Sequence, residues 1–226
     1  MRWVRTFFRW SAAAAFWFVV VSVLWVGLLG IVDPPVTWVM AQQSNEQEEF
    51  HRVQADLSDI SRNLPLSIIA SEDQRFMTHS GFSWEAMKKA LEKNKTGKRI
   101  KGGSTISQQT AKNVFLWPGR TYVRKALEAW FTVVMETLWT KERILEVYLN
   151  VAEMGKMTFG VEAASLRYYN KSAKKLSRYE SARIAAVLPN PVRFSIKNPS
   201  AYVNKRTNQI VRQMRYLGGQ KYIADL

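Results

Sequence analysis

Residues 72–81 read Glu-Asp-Gln-Arg-Phe-Met-Thr-His-Ser-Gly, and residues 102–113 read Gly-Gly-Ser-Thr-Ile-Ser-Gln-Gln-Thr-Ala-Lys-Asn. The first string places a carboxylate directly after an apolar run, Leu66 to Ala70. In the second string, the glycines of a loop precede a helix that begins near Ser104 and carries two Gln, one Lys and one Asn. Together the strings predict a carboxylate and a cluster of amide and ammonium groups at the ends of helices.

The sequence on either side of these strings has mostly the hydrophobic periodicity of helices. An apolar stripe through Leu127, Phe131, Val134 and Leu138 predicts a helix over residues 121–139. Further helices are predicted over residues 83–93, over 141–150 after Thr140, from the capping box at 177–180 to Pro189, and from Pro199 to Gly218. The sequence has no sustained strand alternation and no hairpin turn signal, so the predicted domain is mainly α-helical.

Composition limits the kinds of site that this chain can build. Its 226 residues suit one domain and an appendage, and its many aromatic residues favour a packed core. The absence of Cys and the presence of only two His exclude a disulfide framework, a thiolate metal site and a His-rich metal centre. The formal net charge of +15 requires an anionic partner, and charge alone leaves nucleic acid, anionic lipid and diphosphate substrates open.

An uncharged stretch of 23 residues, 10–32, is long enough to cross a hydrocarbon core of about 30 Å as a helix. Arg2, Arg5 and Arg9 precede it, so the positive-inside rule places the N-terminus in the cytoplasm and the bulk of the chain outside. The alternative is a cleaved signal peptide, because residues 39–41 resemble a cleavage site. The apolar region of a signal peptide has only about 7–15 residues, however. An exported domain meets no chromosome, which counts against nucleic acid as the partner.

Two glutamates are candidates for chemistry, Glu72 and Glu128. The apolar run before Glu72 predicts partial burial, which raises the pKa of a carboxyl group and makes it a better proton acceptor. The alternative for Glu72 is a solvated carboxylate at a helix end. Glu128 follows Arg124 by four residues on one predicted helix, where an ordinary surface ion pair contributes only about 0.3–0.5 kcal/mol. His79 is predicted to be a structural hydrogen-bonding residue.

Amide and cationic side chains form a second group of candidates. Lys112 follows Gln108 and Gln109 by about one turn of the predicted helix, which suits the binding of an anion. The alternative is a helix face with a solvated ammonium group and satisfied amides. Residues 102–105 also suggest nucleotide binding through backbone amides, but no Gly-Lys-Ser/Thr follows at the distance that a phosphate loop needs.

From Leu64 to Pro191 the chain resembles the peptidoglycan glycosyltransferases that polymerise lipid II, which form glycosyltransferase family 51. Four ordered strings at family-like spacing carry the resemblance. They are Glu72-Asp73 with Phe76, His79 and Gly81; Gly102 to Ile106 with Gln108, Gln109, Lys112 and Asn113; Arg124-Lys125 with Glu128; and Lys141 to Glu146 with Tyr148 to Asn150. Residues 150–155 look most like the stand-alone monofunctional members of the family.

The resemblance implies a fold and a place in the cell. The fold is a lysozyme-like, mainly α-helical glycosyltransferase domain over residues 61–226. It follows a cytoplasmic segment (1–9), a transmembrane helix (10–32) and a linker and membrane-proximal segment (33–60). The implied location is the bacterial inner membrane, crossed once, with the N-terminus inside and the catalytic domain in the periplasm. The implied partners are lipid II, the growing glycan strand, membrane lipids and proteins of a cell-wall synthesis complex, without nucleic acid.

The resemblance also implies an activity and its residues. The activity is inverting glycosyl transfer from lipid II, which forms β-1,4 bonds and releases undecaprenyl diphosphate. Glu72 is similar to the general base of the family, and Glu128 to the second catalytic glutamate, which helps to position the diphosphate directly or through a divalent cation such as Mg²⁺ or Mn²⁺. No cofactor is obligatory. The implied substrate-binding residues are Asp73, Gln108, Gln109, Lys112, Asn113, Arg120 and Arg124.

Two other functions are compatible with parts of the sequence. A lysozyme-like hydrolase would use Glu72 as a general acid and release soluble muropeptides from cell wall. A membrane-tethered scaffold would need only the anchor and a basic face. Three short strings typical of transpeptidases occur at 172–175, 61–63 and 95–97, but they are not in the order of a transpeptidase and there is no room for that domain. Transpeptidase activity is therefore excluded.

Overall fold

The computed structural model of the chain describes residues 2–44, 50–85, 87–88, 92, 103–224 and 226. Helices dominate these residues: α1 (Arg2–Leu29), α2 (Trp38–Ser44), α3 (Asn63–Glu72), α4 (Ile106–Phe115), α5 (Tyr122–Leu138), α6 (Lys141–Val151), α7 (Val161–Tyr169), α8 (Arg178–Val187) and α9 (Ala201–Tyr216). Short 3-10 helices lie at Leu57–Asp59, Ala173–Lys175 and Gly219–Ile223. The prediction of a mainly α-helical chain with one N-terminal apolar helix is confirmed. The helix predicted over 83–93 and the following basic loop lie largely outside the described residues.

Side-chain caps explain where several helices begin. The Thr105 hydroxyl accepts a hydrogen bond from Gln108 N, and the Gln108 side chain accepts one from Thr105 N, which forms a capping box at the start of α4. Ser177 forms the capping box that was predicted for α8. The prediction that Pro199 is the first residue of α9 is wrong, because Ser200 is the N-cap and Pro199 lies before the helix.

Helix α3, which ends at Glu72, is largely buried. Leu64, Leu66, Ile68 and Ile69 have at most 1% of their surface exposed. The helix packs against α8 and α9, while α4 packs against α5 and α6. A helix that is enclosed by others is apolar around most of its circumference, as the run before Glu72 indicates. Because α3 ends at Glu72, it carries a carboxylate to the edge of the core.

Residues 153–159 form a short hairpin, so the prediction that the chain contains none is wrong. Strand β2 (Glu153–Gly155) pairs antiparallel with β3 (Thr158–Phe159), and β3 pairs parallel with β1 (His51–Arg52). Strands of two or three residues are too short to show alternation of apolar and polar side chains. The connection also lacks the usual Asn-Gly or Asp-Gly pair and instead has Met157 at a φ of 55°.

Residues 50–60, within the predicted linker and membrane-proximal segment, are attached to the domain. Asn150 of α6 bonds both backbone polar groups of Ala55: its Oδ1 accepts from Ala55 N at 3.0 Å, and its Nδ2 donates to Ala55 O at 2.9 Å. Leu57 N donates to Glu146 Oε2 at 3.0 Å. With β1 joined to the sheet as well, this segment forms part of the folded unit.

The C-terminal half of α1 lies against α5 and the residue that follows it. Ser22, Val26 and Leu29 are the buried residues of α1. Trp130 Nε1 donates to Ser22 Oγ at 3.1 Å, and Trp139 Nε1 donates to Val26 O at 2.8 Å. The helix as a whole is long and apolar enough to cross a membrane. It is therefore a membrane-anchor segment whose end is also packed against the domain.

Candidate active site

Glu72 is held between the end of α3 and the side of α4. Gln109 Nε2 donates to Glu72 Oε2 at 3.0 Å. Burial raises the pKa of Glu72, while the Gln109 hydrogen bond and the positive charges of Arg206 and Lys112 oppose that shift. The side chain is nevertheless partly exposed. The arrangement is that of a fixed carboxylate with increased proton affinity that a ligand can reach.

Tyr148 fixes the orientation of the Gln109 amide. Its hydroxyl donates to Gln109 Oε1 at 3.3 Å, so the amide NH₂ group is the part that faces Glu72. Burial raises the pKa of Tyr148 well above its ordinary value, and the nearby Glu72 charge adds to the shift, so the phenol stays neutral and can donate. The sequence placed Tyr148 in a family-like string but gave no signal for this role, because the contact joins α4 to α6.

Asp73 links the two sequence strings, residues 72–81 and 102–113. Its buried carboxylate accepts from His79 Nε2 at 2.9 Å and from Ile106 N, at the start of α4, at 3.1 Å. His79 is therefore a structural hydrogen-bonding residue, as predicted. The position of α4 relative to α3 depends on this carboxylate, because Asp73 follows Glu72 directly and bonds the first residue of α4.

A cleft of about 450 Å³ brings together most of the predicted substrate-binding residues. Its polar wall consists of Gln109, Lys112, Asn113, Arg120, Arg124, Tyr148 and Glu153. Its apolar wall includes Val39, Leu116, Trp117, Phe159, Leu188 and Pro191. Gln109 also bonds Glu72, so the carboxylate and the cleft share one residue. Asp73, Gln108 and Glu128 are buried and do not line the cleft.

Glu128 is buried behind the polar wall of the cleft and contacts Arg124 of that wall. Only 3% of its surface is exposed, and its Oε2 accepts from Arg124 Nη1 at 3.0 Å. Lys125 Nζ contacts the other carboxylate oxygen. Burial lowers the pKa of Lys112, and the negative charge of Glu128 opposes that effect. Three cations, Lys112, Arg120 and Arg124, line the cleft beside the carboxylate of Glu153, so the cleft is suited to a multiply charged anion.

The donor set at Glu128 does not fit a metal ion held by the protein. Both carboxylate oxygens of Glu128 already contact cations, Arg124 and Lys125. The described part of the chain contains no group of three or more His, Cys, Asp or Glu side chains that could hold a metal ion together. A hard divalent cation prefers several oxygen ligands, so its ligands here would have to come mainly from a bound anion.

Comparison with known proteins assigns the chain to a family. The family model described as Transglycosylase matches residues 39–215. A biosynthetic peptidoglycan transglycosylase of Xanthomonas axonopodis pv. citri (strain 306) is 48% identical over 229 aligned positions, covering 98% of this chain and 93% of that protein. The one from Pasteurella multocida (strain Pm70) is 52% identical over 210 positions (90% and 85%), and that of Shewanella oneidensis is 46% identical over 222 positions (96% and 95%). The chain belongs to the transglycosylase family.

Proposed function

We propose that this chain polymerises glycan strands of peptidoglycan from lipid II. The reaction is an inverting glycosyl transfer that forms β-1,4 bonds and releases undecaprenyl diphosphate. The observation that carries the proposal is the position of the Glu72 carboxylate, which is bonded through Gln109 to a cleft lined by Lys112, Arg120 and Arg124. The transglycosylase family match and the names of the relatives support it.

Glu72 is the proposed general base. The acceptor hydroxyl must lose its proton as it attacks the anomeric carbon of the donor, and a carboxylate of raised pKa is a better acceptor than an ordinary one. The Gln109 amide, oriented by Tyr148, holds one carboxylate oxygen in place. Direct displacement inverts the donor centre, so an α-linked diphosphate becomes a β-1,4 bond without a covalent enzyme intermediate.

The polar wall of the cleft is the proposed binding site of the departing diphosphate. Lys112, Arg120 and Arg124 provide positive charge there, and Gln109 and Asn113 provide amide donors. Positive charge that is already in place stabilises the negative charge that develops on the leaving group. Diphosphate is a good leaving group, so no general acid is required, in contrast to a glycosidase.

The remaining predicted site residues take indirect roles in this proposal. Asp73 and Gln108 hold α4 in place through His79, Ile106 and Thr105, rather than contacting the substrate. Glu128 positions the cations of the cleft wall. A divalent cation stays a prediction, and the oxygens of the substrate diphosphate would be its main ligands.

The proposed setting is the bacterial inner membrane, with the N-terminus inside and the domain in the periplasm. Arg2, Arg5 and Arg9 before the apolar part of α1 support this orientation. Val39 of α2, a few residues after the anchor helix, lines the cleft, which suits a substrate whose lipid tail stays in the membrane. Membrane lipids and proteins of a cell-wall synthesis complex remain proposed partners.

Incubation of the purified full-length chain with lipid II tests the proposal. Mass spectrometry and gel analysis are expected to find long glycan and released undecaprenyl diphosphate, and Glu72→Gln is expected to abolish both. Soluble muropeptides from purified cell wall, without polymer from lipid II, would instead support a hydrolase. A scaffold predicts that neither substrate is consumed and that cells carrying Glu72→Gln behave like the wild type.

A further inference from the structure

Arg206 lies beyond the family-like strings, yet its side chain reaches the helix that carries Glu72. It projects from α9, whose buried Val203 and Ile210 pack that helix onto the domain. Arg206 Nη2 donates to Ser71 O at 3.0 Å. The side chain is partly buried, so this contact is fixed by the packing of α9 against α3 rather than by a surface rotamer.

The carbonyl group that Arg206 contacts belongs to the last turn of α3. Carbonyl groups there have no partner within their own helix. Gln74 Nε2 donates to Ala70 O at 3.1 Å, and Arg206 donates to Ser71 O, so two neighbouring carbonyls are satisfied by side chains. A cation at a helix C-terminus also interacts favourably with the helix dipole. Arg206 therefore caps the helix one residue before Glu72.

The charge of Arg206 also acts on Glu72. The titratable groups that face Glu72 are Asp73 beside it, Lys112 on α4, Tyr148 on α6 and Arg206 on α9. Burial raises the pKa of Glu72 and so does Asp73, whereas Arg206 and Lys112 lower it, with Arg206 the stronger of the two. Without these cations, a carboxylate at this depth would be protonated at higher pH.

A bound anionic substrate would offset the charge of one of these cations, Lys112, and not that of the other, Arg206. Lys112 lines the cleft, so a bound diphosphate engages its ammonium group and offsets its charge. Arg206 does not line the cleft, and from α9 it contacts the carbonyl group of Ser71, the residue before Glu72. Its charge therefore remains available to the Glu72 carboxylate while an anionic substrate is bound.

We propose that Arg206 is a positioning residue of the active site, which caps the end of α3 and keeps the Glu72 carboxylate ionised during the reaction. This inference rests on the proposed function, in which Glu72 is the base. It gives the C-terminal helix a part in the chemistry, although Arg206 and Ser71 are 135 positions apart in the sequence.

The test is the pH dependence of lipid II polymerisation by the full chain carrying Arg206→Gln, Arg206→Lys or Arg212→Gln. The base must be deprotonated, so the rate rises with pH through the pKa of Glu72. Loss of the cation raises that pKa. Arg206→Gln is therefore expected to shift the rising limb of the pH–rate profile to higher pH by about one unit. The rate then falls about tenfold on the acid side and stays near the wild type at high pH. Arg206→Lys should restore the limb, and Arg212→Gln, exposed on the same helix, should leave it unchanged.

Equal loss of rate at every pH, with a lower Tm, would mean that Arg206 is only structural and would overturn the inference, as would an unshifted limb. If Arg206→Gln does not fold, Arg206→Met, which keeps much of the side-chain length and lacks the charge, is assayed in its place and must show the same upward shift. Glu72→Gln is assayed in parallel. If it is inactive while Arg206→Gln keeps the wild-type limb, only this inference fails. If Glu72→Gln keeps both rate and limb, the proposed function fails first.

Discussion

The contacts of each charged side chain in the site determine the role that this side chain can have. Glu72 has one neutral amide donor, Gln109, and cations at a greater distance, so its carboxylate remains a proton acceptor. Glu128 contacts two cations directly, Arg124 and Lys125, in a buried position. Removing one partner of a buried ion pair typically costs about 3–5 kcal/mol, because the other charge is left uncompensated. These surroundings favour the proposed role of Glu72 as the base and an organising role for Glu128.

Glu72→Gln keeps the size of the side chain and removes the base. General base catalysis is typically worth about 10²–10⁴ in rate, so polymer formation is expected to fall at least that far while lipid II binding survives. The wild-type rate should rise with pH through the raised pKa of Glu72, because only the ionised carboxylate accepts a proton. Initial rates over a pH series, with binding measured separately, check this prediction.

Glu128→Gln is the matched comparison for that experiment. It weakens the hold on Arg124 and Lys125, so the rate should fall while the rising pH limb remains. The assignment of the base is wrong if Glu72→Gln keeps both the limb and the rate.

Lys112→Ala removes one cation from the cleft wall. A preorganised charge contact typically contributes about 3–4 kcal/mol, which corresponds to about 10²–10³ in rate. We expect turnover to fall by that factor with little change in Tm, since the Lys112 side chain is partly exposed. Lys205→Ala, exposed on α9, is the control and should keep the wild-type rate. A near-normal rate for Lys112→Ala would make Lys112 a solvated helix residue without a role at the diphosphate.

At the scale of the secondary-structure elements, the sequence predicts those features that depend on residues close together in the chain. The capping box at Ser177 and the helix α5 both depend on residues within a few positions of each other, and both were predicted correctly. The predicted apolar stripe of α5 was wrong at Leu138, which is 48% exposed at the end of the helix. The hairpin over 153–159 was missed because its strands are too short to show a period. The contact of Tyr148 with Gln109 spans 39 positions, and it follows from the packing of helices rather than from any local pattern.

Asn150 provides two of the contacts that attach residues 50–60 to the domain. Asn150→Ala would leave both Ala55 N and Ala55 O without their present partner. Net hydrogen-bond contributions of about 1 kcal/mol each predict a loss of about 2 kcal/mol in the free energy of unfolding. Denaturant unfolding and limited proteolysis near residue 55 check the prediction, with Asn208→Ala, exposed on α9, as the control. Equal stability of Asn150→Ala and the control would show that other contacts hold the segment.

For the whole molecule, the anchor and the domain meet at one junction. Arg143 of α6 donates to Leu29 O at 3.1 Å and pairs with Asp33 at 2.8 Å, next to the hydrogen bond from Trp139 to Val26 O. The end of α1 therefore has a defined position on the domain. If α1 crosses the membrane, this junction holds the cleft close to the bilayer surface, where a lipid-linked substrate is found.

The orientation of that crossing can be measured with single cysteines, because the chain contains none of its own. Thr6→Cys lies before the apolar stretch, and Tyr216→Cys lies at the end of α9, where Tyr216 is 86% exposed. The arginines before the stretch predict that the N-terminus is cytoplasmic. A membrane-impermeant maleimide added to intact spheroplasts should therefore label Tyr216→Cys, and it should label Thr6→Cys only after lysis.

Protease added to intact spheroplasts should likewise digest the domain while a cytoplasmic reporter survives. The reverse labelling pattern, or full protection of the domain until lysis, would contradict the predicted topology and with it the supply of lipid II from the periplasmic leaflet.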